Sequence, residues 1–130
     1  MENLKEQTIS EIKPEILNAF NVMWGNFPFV VMLLKENRTI VAINKKAKEM
    51  GIQPGLKCHQ LSGSTGVHKV CMANEALKEQ VSKRVVAYSP QQKQVLDSYW
   101  VPVVGENDLY VHFATDITDY AKPELFQASE

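Results

Sequence analysis

The run Phe27-Pro28-Phe29-Val30-Val31-Met32-Leu33-Leu34 carries no charge, and after Lys35-Glu36-Asn37 the chain resumes as Arg38-Thr39-Ile40-Val41-Ala42-Ile43. Eight apolar residues are far too few to cross a bilayer. Phe29–Leu34 and Arg38–Ile43, rich in β-branched residues and parted by a polar turn, read as a hairpin. Neither strand alternates cleanly between apolar and polar, so both faces of the resulting sheet must be covered. That requirement excludes a one-sided surface ribbon and sets the problem for the rest of the chain.

Three further strands are legible. Arg84–Tyr88 is stopped by Ser89-Pro90, and Val95–Val104 is longer, with Pro102 marking an edge or a bulge. After the turn residues Gly105-Glu106-Asn107-Asp108, Leu109–Thr115 closes the set. The covers are helical. Residues 9–24 place Ile9, Ile12, Ile16, Phe20 and Met23, with Ala19 and Trp24, on one stripe. Thr8 and Glu11 suit a capping box, whereas Pro14 predicts a break or a fresh start. Asn44 opens a short helix, KKAKEM, which Gly51 ends, and Pro54-Gly55 makes a turn. A longer helix is predicted from near Val67, burying Val70, Ala73, Leu77 and Val81. Hairpins at both ends with helices between them give an α+β fold with one antiparallel sheet. The N-terminal helix, or a second copy of the chain, is left to cover the outer face.

At 130 residues, with 14 basic against 15 acidic side chains and a net charge of -1, the chain makes one domain and no electrostatic footprint for nucleic acid. MENLKEQTISEIKPE is too polar for a signal peptide. A cytoplasmic protein is expected, with no membrane partner and with reduced thiols.

Those thiols sit in KCHQLSGSTGVHKVC, which holds both cysteines and two of the three histidines. Three readings compete. On the predicted helix His68, Cys71 and Glu75 share a stripe, and with Cys58 across the loop they offer thiolate, imidazole and carboxylate to a metal or Fe–S cluster. Cys58 and Cys71 could form a reversible disulfide. The plainest reading is two small buried hydrophobes, and it is the one adopted. His112 shares a strand face with Tyr110, Ala114 and Asp116. Turned inward it could bind haem iron or a carboxylate; turned outward, as is commoner, it would hydrogen-bond through a ring nitrogen. A thiol enzyme is disfavoured, because no oxyanion loop or phosphate-binding glycine loop accompanies the cysteines.

FPFVVMLLKENRTIVAINKKAKEMG resembles the opening of PAS domains, with Asn44, Ala47 and Gly51 in the family's places. Lys35 stands where an acidic residue often closes the first strand, and Arg38 replaces the turn glycine. Thr115-Asp116-Ile117-Thr118-Asp119 is similar to the ending with which the family's last strand enters a signalling helix. The middle resembles a subgroup with Gly-x-x-Cys-Tyr and a later Cys-x-x-Cys-Pro: Gly55, Cys58 and Cys71 match, while His59, His68 and Met72 depart. His59-Gln60 after Cys58 differs from the Asn-Cys-Arg run of flavin photosensors, so flavin photochemistry is not expected.

The resemblance covers about residues 25–120. It implies a five-stranded antiparallel sheet with a helical crossover around a small cavity, preceded by a helical cap over residues 1–24 and followed by a tail over 121–130. It implies a non-enzymatic sensory module that binds a small ligand or a signalling protein. No output segment follows Asp116-Ile117-Thr118, so a standalone module is expected. Met32, Leu34, Ile40, Ala42, Leu77, Trp100 and His112 are the predicted pocket; Ile12, Ile16, Phe20, Met23 and Trp24 are the predicted homodimer surface. No cofactor is expected, with haem, a metal or an Fe–S cluster as alternatives. The rival function is a redox or metal sensor on Cys58, His68 and Cys71.

Overall fold

The computed structural model describes residues 12–58 and 71–126. Within them the order is α1 (Pro14–Trp24), β1 (Val31–Lys35), β2 (Ile40–Ile43), α2 (Lys45–Glu49), α3 (Ala73–Glu79), β3 (Lys83–Ser89), β4 (Gln94–Pro102) and β5 (Leu109–Asp116). Two short 3-10 turns follow, Thr118–Tyr120 and Pro123–Phe126. The five strands form one sheet in the order β2-β1-β5-β4-β3, every neighbouring pair antiparallel. β1 and β5 therefore meet at its centre although most of the chain lies between them.

Pro14 is a start, not an interruption. It occupies the first turn of α1, where its fixed φ suits a helix and its missing N–H is no loss. The proposed capping box at Thr8 and Glu11 lies outside the described residues, as do His59, Val67, His68 and Val70. α1 lies on the outer sheet face. Ile12 and Phe20 are buried there with Val31, Leu33, Leu109 and Val111, and Ile16, Leu17 and Trp24 pack against the same cluster. A knot of rings closes its end: Trp24 and Phe27 both meet Phe113, at centroid distances of 5.2 and 5.5 Å. Met23, at 75% exposure, and Val22 face away from the sheet. The chain thus covers much of its own outer face.

The inner face is covered by α2, α3 and the segment leading to Cys58. Met32, Leu34, Ile40, Ile43, Trp100 and Tyr110 from the sheet are buried against Ala47, Ala73, Ala76 and Leu77. Two sequence expectations are corrected. Val81 is 48% exposed, because Gln80 adopts a left-handed conformation that ends α3 before it. Ala42, predicted in the pocket, lies on the outer face with Leu33. A bulge between Leu33 and Leu34 is the reason: Leu34 pairs with Ile40 but Leu33 with Ala42, so Val41 is an extra residue. Ile40 and Ile43 then point inward while Val41 and Ala42 point outward. Pro102 is accommodated at the end of β4, beyond Trp100, where pairing with β3 has stopped.

Candidate functional site

The β1–β2 turn sets the site. Arg38 N–H donates to the Lys35 carbonyl at 2.8 Å, and Lys35 N–H donates to the Thr39 carbonyl at 3.0 Å. A three-residue hairpin loop of this kind calls for a left-handed residue in third place, normally glycine. Here that residue is Arg38, with φ 73°. It is also only 5% exposed. A large cationic side chain has been placed where both backbone and burial oppose it.

The segment after Gly55 runs beside β2. Ile40 N–H donates to the Leu56 carbonyl at 2.8 Å, and Cys58 N–H donates to the Arg38 carbonyl at 2.9 Å. This pairing fixes Cys58 over the inner sheet face. Cys71 packs on the same cluster from the start of α3, so the fold brings both cysteines to one apolar site, each as a free thiol. Burial pushes the Cys58 thiol up to about 11, the neighbouring Cys71 adds to the rise, and Arg38 opposes it. Burial likewise pushes the Tyr110 phenol well above its ordinary value, again against the pull of Arg38. Thiols, phenol and guanidinium thus converge.

The guanidinium is incompletely engaged. Arg38 Nη1 donates to the Glu36 carbonyl and, at 3.0 Å, to Asn74 Oδ1. Its Nε is the buried side-chain nitrogen or oxygen that lacks a hydrogen-bond partner among the described residues. No carboxylate forms an ion pair with it among those residues.

His112 lies in the inner row Met32–His112–Trp100, and its ring stacks on Trp100 at 4.7 Å. Its Nδ1 is 2.8 Å from the Tyr99 carbonyl, which can only accept, so Nδ1 carries the hydrogen. The ring faces inward, which corrects the outward placement favoured from the sequence, and its hydrogen bond through a ring nitrogen is made on the inner face. Of the predicted pocket, Met32, Leu34, Ile40, Leu77 and Trp100 share the inner cluster.

Glu75 does not share a helical stripe with Cys71 as predicted. Cys71 precedes α3, so the helical spacing that aligned it with Glu75 is absent, and Glu75 is exposed. No group of three or more His, Cys, Asp or Glu side chains able to hold a metal occurs among the described residues. His68 lies outside them. Sequence reasoning passed over Arg38, although its place in the turn usually taken by glycine was the available signal.

At the far end of the sheet, Thr118 N–H donates to Asp116 Oδ1 at 3.0 Å, and the Thr118 hydroxyl bonds the same oxygen. These bonds hold the Asp116 carboxyl below its ordinary pKa. Val95 N–H in turn donates to Thr118 Oγ1 at 3.0 Å, so Asp116-Ile117-Thr118 fixes the chain's exit from the sheet.

No helix among the described residues is long and apolar enough to cross a membrane. No family model matches the chain, and neither does any curated protein. Solved structures do. A domain of an HTR-like protein from Haloarcula marismortui aligns with TM-score 0.56 at 20% identity, over 70% of this chain and 99% of that one. A sensory box sensor histidine kinase from Vibrio cholerae gives 0.57 at 16% identity, over 85% and 94%. An RNA-binding light-oxygen-voltage receptor gives 0.58 at 14%, over 88% of this chain but 37% of that one. At such identities the likeness is one of fold, and the strand order and the inner-face helices agree with it. This chain has the PAS-domain fold.

Proposed function

We propose that the protein is a sensory, signal-transducing module that binds a small ligand between the inner sheet face and α2–α3. In this reading it homodimerises through the exposed side of α1, at Val22 and Met23, since Ile12 and Phe20 of the surface expected from the sequence are buried against the chain's own sheet, and it passes a change at the ligand site to a partner. One observation carries the reading: an apolar inner face of Met32, Leu34, Ile40, Leu77 and Trp100 on which a few polar groups, Arg38, Cys58 and Tyr110, converge. The sensory neighbours by fold support it as analogy. The reading assigns the chain no catalytic step. The redox alternative is the weaker one, because thiolate is the reactive species and a thiol raised to about 11 supplies little of it at neutral pH.

Native mass spectrometry and an absorption spectrum of the full chain, purified without extensive dialysis, test the ligand claim. The expected result is an additional small-molecule mass that is lost on denaturation. Protein that carries no extra mass and binds no member of a small-molecule library would sink the reading.

A further inference from the structure

We propose that the ligand is a small organic monocarboxylate and that Arg38 is its counter-ion. The inference rests on the ligand-site reading above and narrows it to one chemical class.

Three observations carry it. Arg38 is 5% exposed, and no carboxylate among the described residues pairs with it. The 59–70 segment between the described parts contains no aspartate or glutamate. A buried charge without a counter-charge is costly, and proteins seldom keep one without a use for it. Second, among the described residues Arg38 makes its side-chain hydrogen bonds through Nη1, to Glu36 O and Asn74 Oδ1, while Nε is buried and finds no partner there. The Nε–Nη2 edge is thereby left for a planar acceptor, and two parallel N–H donors match the two oxygens of a carboxylate. Third, the residue sits at φ 73°, so the turn has accepted backbone strain to retain a side chain there.

Charge count decides the valency. One guanidinium in an otherwise apolar cluster balances one negative charge, and a phosphate dianion would need more donors than the site supplies. The body of the ligand must be apolar, since Leu34, Ile40, Leu77 and Trp100 form the surroundings. Burial keeps Tyr110 and Cys58 protonated there, and both can donate to a carboxylate without repelling it.

The test uses acetate, butyrate and benzoate, each paired with its neutral amide, on the full chain by thermal shift and calorimetry. At least one acid is expected to bind ten-fold or more tightly than its amide. Arg38→Met, which keeps volume and removes charge, should abolish that preference, and Arg38→Lys should retain part of it. Arg38→Lys decides the matter should Arg38→Met not fold. Acids and amides binding alike, or a preference that survives Arg38→Met, would overturn the carboxylate assignment and leave the ligand reading standing. Six probes that all fail to bind would overturn the carboxylate assignment, while the ligand reading falls only with the native-mass and library result.

Discussion

Asn44 and Val31 are joined twice: Asn44 Oδ1 accepts from Val31 N–H at 3.0 Å, and Asn44 N–H donates to the Val31 carbonyl at 3.1 Å. The same side chain caps α2 by accepting from Ala47 N–H at 3.2 Å, and its amide donates to the Phe27 and Phe29 carbonyls at 3.2 and 2.8 Å. It is 1% exposed. One buried amide thus binds the approach to β1, β1 itself and the helix that roofs the inner face.

Replacing Asn44 with alanine strands several buried backbone groups at once. The expected loss is about 3 kcal/mol, since each unsatisfied buried group costs about 1–3 kcal/mol. Urea denaturation reads it directly. A loss below about 1 kcal/mol would mean that water replaces the amide and that the joint is not structural.

Arg38→Met is expected to stabilise the protein by about 1–2 kcal/mol, because it removes, at little cost in volume, a buried charge that no carboxylate among the described residues pairs. The strain at φ 73° is common to both side chains and cancels. In thermal unfolding without ligand, a fall in Tm would show that the bonds to Glu36 and Asn74 outweigh desolvation. Stability gained where a binding preference is lost is the pattern of a residue kept for function.

Cys58 makes stability pH-dependent with a definite sign. Its pKa rises from an ordinary 9.0 to about 11 on folding. Between those values the folded chain holds more protons than the unfolded one, so stability is unaffected below pH 9 and falls as pH climbs towards 11. The full effect is about 3 kcal/mol at about 1.4 kcal/mol per pKa unit. Tyr110 contributes with the same sign at higher pH, so the comparison must be with Cys58→Ala. Chemical denaturation at pH 8 and pH 11 should show the wild type losing about 2 kcal/mol more than that variant, because the folded thiol is itself half-ionised at pH 11. Equal losses would place the thiol in water.

Phe20 and Met23 differ by three residues and should differ widely in cost. Phe20 is 3% exposed on the outer sheet face, and Phe20→Ala should cost about 3–5 kcal/mol. Met23→Ala should fall within about 0.5 kcal/mol, as for exposed positions generally. Similar costs in denaturant would show that α1 is not seated on its own sheet as described.

Light scattering after size exclusion tests the proposed homodimer. A dimer is expected at tens of micromolar, and Val22→Lys with Met23→Glu should shift it towards monomer, because these exposed apolar residues lie on the free side of α1. A wild-type monomer at that concentration would remove self-association from the proposal.

What the sequence by itself determined was everything that depends on near neighbours. Five strands, the short helix between Asn44 and Gly51, the antiparallel arrangement and the need to cover both faces all follow from side-chain period and turn chemistry within a few residues. Pro14 left a break or a fresh start open, and the structure makes it the start of α1. Tertiary structure decided the rest. The bulge at Val41 turned Ala42 outward, which strict alternation could not foresee because register depends on the partner strand. Cys71 lost its helical spacing to Glu75 once α3 began at Ala73. His112 could be placed only when β1 and β4 flanked its strand. Arg38 reads in the sequence as a polar turn residue beside Glu36 and Asn37. Only the approach of Cys58 and Asn74, distant in the chain, makes it a buried cation, because burial is a property of what surrounds a side chain and not of the side chain itself.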